Sequence, residues 1–178
     1  RSKQLIKFII TFAVAAVVLL LFRAMVVTLY TVNDTALQPE FMLGDRILVN
    51  RWSYGLRTGN DDGLFRYGRI MKSNVEKGDI IAVDSANDSI SAIIICRCVA
   101  LPGDTITHKG MTTVVPGLHN CADQDYYMVE LFEKNKGTKH GIVGEKSIIG
   151  RVCMVVFNHD DNAPFYTGYD KDRVFIMK

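Results

Sequence analysis

The sequence predicts a mainly β protein with antiparallel folded-over sheets, preceded by one N-terminal transmembrane helix. Two observations lead to this fold class. An apolar run lies close to the N-terminus, and after Tyr30 short runs rich in β-branched residues alternate with turns that contain Gly, Pro, Asn or Asp. No stretch of helical periodicity of useful length follows Tyr30, so the remainder of the chain is expected to be all-β.

The apolar run from Phe8 to Phe22 predicts a membrane anchor. An uninterrupted run of this length is short for a span of about 20 residues, but Lys7 and Arg23 can extend it from both ends because their long side chains reach the membrane surface. The basic residues before the run predict a cytoplasmic N-terminus, with residues from Thr31 onward outside. A cleaved signal peptide shares these features, but no small-x-small cleavage site follows at the right distance.

The domain organisation follows from this anchor. Residues 1–30 are expected to form the cytoplasmic basic end and the transmembrane anchor, and residues 31–178 one extracytoplasmic β domain, because a single core usually serves about 100–150 residues. The formal net charge is +2 and the basic residues are scattered, so no nucleic-acid partner is predicted.

The predicted strands are short runs separated by turn signals. The runs are Arg46–Asn50, Asp79–Val83, Ile90–Leu101, Thr112–Val115, Tyr126–Phe132 and Ile148–Phe157. The turn signals between them include Lys77-Gly78-Asp79, Pro102-Gly103-Asp104 and Pro116-Gly117.

Five motifs occur in order along the chain. They are Leu43–Asn50 (LGDRILVN), Tyr54–Arg57 (YGLR), Lys77–Ile81 (KGDII), Arg97–Asp104 (RCVALPGD) and Ile148–Arg151 (IIGR). Together they resemble the type I signal peptidases, the membrane-anchored proteases that remove signal peptides from exported proteins. The resemblance runs from the anchor to about Val156. It implies sheets of the signal peptidase type and a single-pass protein of the bacterial inner (cytoplasmic) membrane.

The resemblance also implies a catalytic mechanism whose residues this sequence lacks. In the family, a serine in a Ser-Met-x-Pro motif attacks the scissile carbonyl, and a lysine held neutral by apolar burial takes its proton. The motif falls on residues 36–39, so the nucleophile position is Ala36, and Cys96 stands where the lysine would precede Arg97. The residues expected to line this former cleft are Asp34, Thr35, Ala36, Leu37, Pro39, Cys96 and Arg97.

Two further departures suggest lost catalysis. Asp34 occupies the position whose side chain helps to bind the oxyanion in many family members, and a carboxylate there would repel the developing negative charge. The family's segment that supports the lysine falls on Met128–Thr138, which contains no serine, aspartate or arginine. We therefore interpret the chain as a naturally degenerate homologue.

Other residues offer weak alternatives for catalysis or metal binding. Thr35 is adjacent to Ala36, but alternation in an extended segment turns it away from the cleft. Cys96 as a thiol nucleophile would need a base, and all four histidines fall in predicted turns or strand ends: His108, His119, His140 and His159. Cys96 and Cys98 share a strand face but lack a second pair of ligands, so no metal or cofactor is predicted. With Cys121 and Cys153, three full disulfide pairings stay open.

The sequence thus predicts a catalytically inactive signal peptidase I homologue that acts as a non-catalytic subunit or regulator of protein export or signal-peptide processing. Its expected partners are the membrane and an active signal peptidase or another export component. Two alternatives remain, an active serine-type endopeptidase with misassigned catalytic residues and a non-cleaving binder of signal-peptide C-termini. The aromatic segment 158–169 predicts either partner contact or a strand that closes the sheet edge.

Overall fold

The computed structural model describes residues 2–32, 40–59, 66–85, 92–108, 111–120, 124–133, 137–160, 162–164 and 166–177. Within these ranges, helix α1 (Ser2–Val26) is followed by strands and by the short 3-10 helices Glu145–Ser147 and Lys171–Arg173. The strands are β1 (Val27–Thr31), β2 (Asp45–Asn50), β3 (Leu56–Thr58), β4 (Gly68–Ile70), β5 (Ile80–Ser85), β6 (Ala92–Ala100), β7 (Thr105–His108), β8 (Met111–Val114), β9 (Tyr126–Glu133), β10 (Gly137–Gly144), β11 (Ile148–His159), β12 (Tyr169–Asp170) and β13 (Ile176–Met177). The predicted mainly β class with one N-terminal apolar helix is confirmed.

One large antiparallel sheet organises the domain. Its main path runs β1-β2-β11-β5-β6-β9-β10, and β12 and β13 also pair with β11. The hairpins β3-β4 and β7-β8 form separate two-stranded sheets. Because successive strand residues point to opposite faces, a central strand can supply side chains to two cores.

Two hydrophobic cores cover the two faces of the central strands. The first contains Ile80 and Ala82 of β5 together with residues of β2 and β11. The second contains Ile81 and Val83 of β5 together with Cys96 of β6 and residues of β9. Strand β6 supplies Ile95 to the first core and Cys96 and Cys98 to the second.

Helix α1 continues directly into the sheet. Its segment Lys3–Arg23 is long and apolar enough to cross a membrane. Strand β1 begins at the next residue after α1, and the Arg51 amide donates to the Val26 carbonyl at 2.8 Å. The rings of Phe22 and Trp52 lie 5.7 Å apart, so the end of α1 also packs against the β domain.

Three turns of the same design, which we call the Gly-Asp turns, span residues 42–45, 76–79 and 101–104. In each turn the third residue is a glycine with positive φ, and the aspartate carboxylate accepts a hydrogen bond from the amide of the first residue. These bonds are Met42 N to Asp45 Oδ2 at 2.8 Å, Glu76 N to Asp79 Oδ2 at 3.1 Å and Leu101 N to Asp104 Oδ2 at 3.0 Å. The aspartates also pair with Arg173, Arg151 and Lys77, respectively.

Each Gly-Asp turn docks on a neighbouring residue by the same pair of backbone hydrogen bonds. The glycine N–H donates to the carbonyl of the docking residue, and the N–H of the docking residue donates to the backbone carbonyl of the aspartate. The docking residues are Val32 (3.0 and 2.9 Å), Cys98 (2.8 and 2.9 Å) and Val115 (2.8 and 2.9 Å). The turn at 42–45 thereby fixes the chain at Val32, immediately before the predicted cleft residues.

A buried ion pair joins the β3-β4 hairpin to the end of β10. The side chains of Arg69 and Glu145 are each 1% exposed, and Arg69 Nε donates to Glu145 Oε1. The Tyr67 hydroxyl donates to the other carboxylate oxygen of Glu145. Burial, followed by this hydrogen bond, raises the pKa of Tyr67 well above its usual value.

Candidate functional site

The structure describes only part of the predicted cleft. Residues 33–39, which we call the cleft segment, lie outside the described residues, so the placements of Asp34, Thr35, Ala36, Leu37 and Pro39 remain predictions. Cys96 and Arg97 are described, as are the two residues that border the segment, Val32 and Glu40.

The borders of the cleft segment are held close to the sheet. Val32 exchanges two backbone hydrogen bonds with the Gly-Asp turn at 42–45. The Glu40 carboxylate accepts a hydrogen bond from Arg97 Nη2 at 2.5 Å, and the carboxylate is only 20% exposed. Arg97 therefore links strand β6 to Glu40, at the border of the cleft segment.

A second carboxylate lies beside Arg97. Glu130 of β9 is the register partner of Arg97, and His140 of β10 is the register partner of Glu130. Glu130 belongs to the segment 128–138, which the sequence predicts to lack the family's supporting side chains. Cross-strand neighbours of opposite charge stabilise a sheet modestly, so Glu130 and Arg97 contribute to the pairing of β6 with β9.

Cys96, at the position expected for the general base, faces the second core. Its side chain is on the face of β6 opposite Arg97 and is 2% exposed, and its thiol donates to the Ile81 carbonyl at 3.8 Å. Burial, and to a smaller extent the neighbouring Cys98, raises the pKa of the Cys96 thiol to about 12. At neutral pH this thiol is protonated and cannot act as a thiolate nucleophile.

The histidines contact other parts of the molecule. His119 Nε2 lies 3.1 Å from the Val75 carbonyl oxygen, and its ring packs edge-on against Tyr127. The His159 ring lies 4.8 Å from the ring of Tyr169. His140 lies inside strand β10, so its predicted place in a turn or at a strand end is wrong.

The described lysines have solvated environments. A lysine base must be desolvated to be neutral near pH 7. Every lysine side chain that the structure describes is exposed or half-buried: Lys3, Lys7, Lys72, Lys77, Lys139, Lys146 and Lys171. Lys77 is 58% exposed and pairs with Asp104 at 2.9 Å. Within the described ranges, no lysine has the environment of a neutral base.

The cysteines and acidic residues do not assemble a metal centre in the part of the chain that the structure describes. Cys96, Cys98 and Cys153 are free thiols. Cys121 lies outside the described residues, but each of the three full pairings would also join two of the described cysteines, and because these are free, none of the three pairings forms in this structure.

Cys96 is expected to resist alkylation in the folded protein. With a pKa of about 12 and a side chain 2% exposed, its reaction with iodoacetamide at pH 7.5 should be at least about a thousandfold slower than that of a free cysteine, whose pKa is about 8.5. Mass spectrometry of timed digests measures this rate, and the half-buried Cys153 is the internal control. Labelling of Cys96 at the rate of Cys153 would contradict the buried, protonated state.

Comparisons with known proteins agree with these structural features. The model of the family described as signal peptidase, peptidase S26, matches residues 5–139. Signal peptidase I of Buchnera aphidicola subsp. Baizongia pistaciae (strain Bp) is 24% identical over 147 residues, which cover 79% of this chain and 45% of that protein. Signal peptidase IB of Staphylococcus aureus (strain Mu50 / ATCC 700699) is 29% identical over 117 residues, 65% of this chain and 51% of that protein. The chain spans about half the length of these curated relatives, and by the family match it belongs to the signal peptidase family, peptidase S26.

Proposed function

We propose that this chain is a catalytically inactive member of its family and serves as a non-catalytic subunit or regulator of protein export or signal-peptide processing. Helix α1 anchors it in the bacterial cytoplasmic membrane, with the N-terminus inside and the β domain outside. The observation that carries the proposal is Cys96, a buried and protonated thiol at the position of the family's lysine base. Ala36, at the nucleophile position, supports it from the sequence.

The intact scaffold supports a role that depends on shape. All three Gly-Asp turns keep their hydrogen bonds, and both hydrophobic cores are filled. These features maintain the fold. A protein that retains its fold while Ala36 and Cys96 stand at the positions that the resemblance assigns to the nucleophile and the base is suited to binding another molecule.

A non-cleaving binder of signal-peptide C-termini is the second candidate. The contact between Arg97 and Glu40 favours it, because this contact holds the border of the cleft segment against β6. An active peptidase with misassigned residues has less support, since no described lysine is buried.

The proposal is tested by purifying the tagged full chain from its native membranes in mild detergent. We expect an active signal peptidase or another export component to copurify in constant stoichiometric amount, identified by mass spectrometry. An unrelated tagged single-pass protein from the same membranes is the control. Recovery of the chain without a constant partner would rule out a stable subunit.

A cleavage assay with an exported precursor completes this test. The purified chain should give no product, whereas turnover at about 1–10³ s⁻¹ would identify an active enzyme. The variant Ala36→Ser, Cys96→Lys should also be inactive, because segment 128–138 lacks the residues that support the base. Saturable binding of a signal-peptide C-terminus without cleavage would favour the second candidate.

A further inference from the structure

The C-terminal strap, defined as residues 169–177, is attached to the sheet over a small area. Its strands β12 and β13 contain two residues each and pair with β11. Several strap side chains are largely exposed, including Phe175 at 68% and Met177 at 81%. Segments with few buried contacts open locally at low free-energy cost, so individual contacts of the strap matter.

Arg173 is a largely buried charged side chain of the strap. Its guanidinium binds Asp45 at two points, Nε to Oδ1 at 3.0 Å and Nη2 to Oδ2 at 2.5 Å, with side-chain exposures of 13% for Arg173 and 0% for Asp45. Burial opposes the ionisation of Asp45, but hydrogen bonds from Arg173, the Met42 amide and Asn158 outweigh it, so the pKa of Asp45 lies below its usual value. The strap is therefore fixed to the Gly-Asp turn at 42–45 by a charged, bidentate contact.

The same guanidinium reaches the border of the cleft segment. Arg173 Nη2 donates to the Glu40 carbonyl at 3.4 Å, while Arg97 of β6 binds the Glu40 carboxylate. Glu40 is thus held by two arginines, one from the strap and one from the central sheet. Val32, the other border, is held by the turn that Arg173 binds through Asp45.

We propose that Arg173 is a positioning residue for Glu40 and for the Gly-Asp turn at 42–45: the attached strap fixes both, and detachment of the strap releases both. The strap thereby controls how firmly Glu40 and, through the turn, Val32 are held. This coupling goes beyond the proposed function, because it is built into the chain and requires neither a partner nor a peptide.

The coupling is tested by hydrogen exchange on the full chain in detergent micelles. In Arg173→Met, the hydrogen-bonded amides of Met42 and Gly44 should exchange roughly tenfold to a hundredfold faster, because a hydrogen bond to a charged group contributes a corresponding stability. Amides of β5 and β6 should change much less. Arg173→Lys, which keeps the charge but cannot form the bidentate contact, should give an intermediate increase.

Two further variants separate positioning from general destabilisation. Lys171→Met alters an exposed residue of the same 3-10 helix and should leave the exchange of Met42 and Gly44 unchanged. Arg97→Met should accelerate the same amides, and its effect should be non-additive with Arg173→Met because both arginines act on Glu40. Equal acceleration in β5 and β6, or additive effects of the two arginine variants, would overturn the proposal.

Discussion

Arg69→Met is expected to lower the free energy of unfolding by about 3–5 kcal/mol, because it leaves the carboxylate of Glu145 buried without a cation. Both side chains are 1% exposed, so water cannot replace the lost partner without opening the structure. The free energy of unfolding of a small domain is only about 5–15 kcal/mol, which makes this a large fraction of the total.

Arg69 also satisfies three backbone carbonyls, which adds to the expected loss. Its guanidinium donates to Gly55 O at 3.0 Å, Glu145 O at 3.1 Å and Ile148 O at 2.6 Å. Methionine resembles the arginine stem in shape but donates no hydrogen bond, so these acceptors lose their partner. The β3-β4 hairpin and the 3-10 helix at 145–147 should loosen together.

Denaturant unfolding in detergent, followed by far-ultraviolet circular dichroism, measures the loss. The matched control is the double variant Arg69→Met, Glu145→Leu, which removes both charges and should recover part of the stability. If Arg69→Met lowers the free energy of unfolding by less than about 1 kcal/mol, the Arg69–Glu145 pair contributes no more than a solvent-exposed ion pair does. If the double variant is less stable than Arg69→Met, the unpaired carboxylate of Glu145 is not the main reason why Arg69→Met is destabilised.

The sequence predicts the strands that contain runs of β-branched apolar residues, and it misses strands that can be recognised only from their pairing with a neighbouring strand. Strands β2 and β11 correspond closely to the predicted runs, because both contain β-branched residues that face a core. Strand β1 was missed because its residues, Val27–Thr31, continue the apolar run of the anchor and become a strand by pairing with β2. Strand β10 (Gly137–Gly144) contains three glycines, and only its register with β9 identifies it.

The motif at residues 97–104 predicts that Arg97 and Cys96 belong to the candidate site. Their place beside the cleft stays a prediction, because residues 33–39 lie outside the described residues. Glu40 and Glu130 were missed, since neither belongs to a distinctive motif and Glu40 meets Arg97 across 57 residues. Such contacts depend on sheet register and on the path of the chain, which local patterns do not contain.

The Gly-Asp turns provide a final prediction with controls inside the same molecule. Each turn has a glycine with positive φ, +84° at Gly44, +94° at Gly78 and +86° at Gly103, but their surroundings differ. A Cβ at Gly78 or Gly103 would meet nothing within 4 Å, whereas at Gly44 it would overlap the carbonyl oxygen of His159. The three Gly→Ala variants therefore share one backbone strain, and Gly44→Ala alone adds a steric clash.

We expect Gly78→Ala and Gly103→Ala each to lower the free energy of unfolding by about 1–2 kcal/mol, the cost of a left-handed conformation for a residue with a Cβ. Gly44→Ala should cost about 2–5 kcal/mol, because about 1–3 kcal/mol of overpacking adds to that strain. The clash involves backbone: the His159 amide donates to the Gly44 carbonyl at 3.1 Å, so the turn and the end of β11 cannot separate without losing this bond. Parallel denaturant titrations of the three variants measure the difference. Equal losses of unfolding free energy in all three variants would show that the positive φ alone determines the requirement for glycine. A larger loss in Gly44→Ala would show that the close approach of β11 adds a second requirement at this turn.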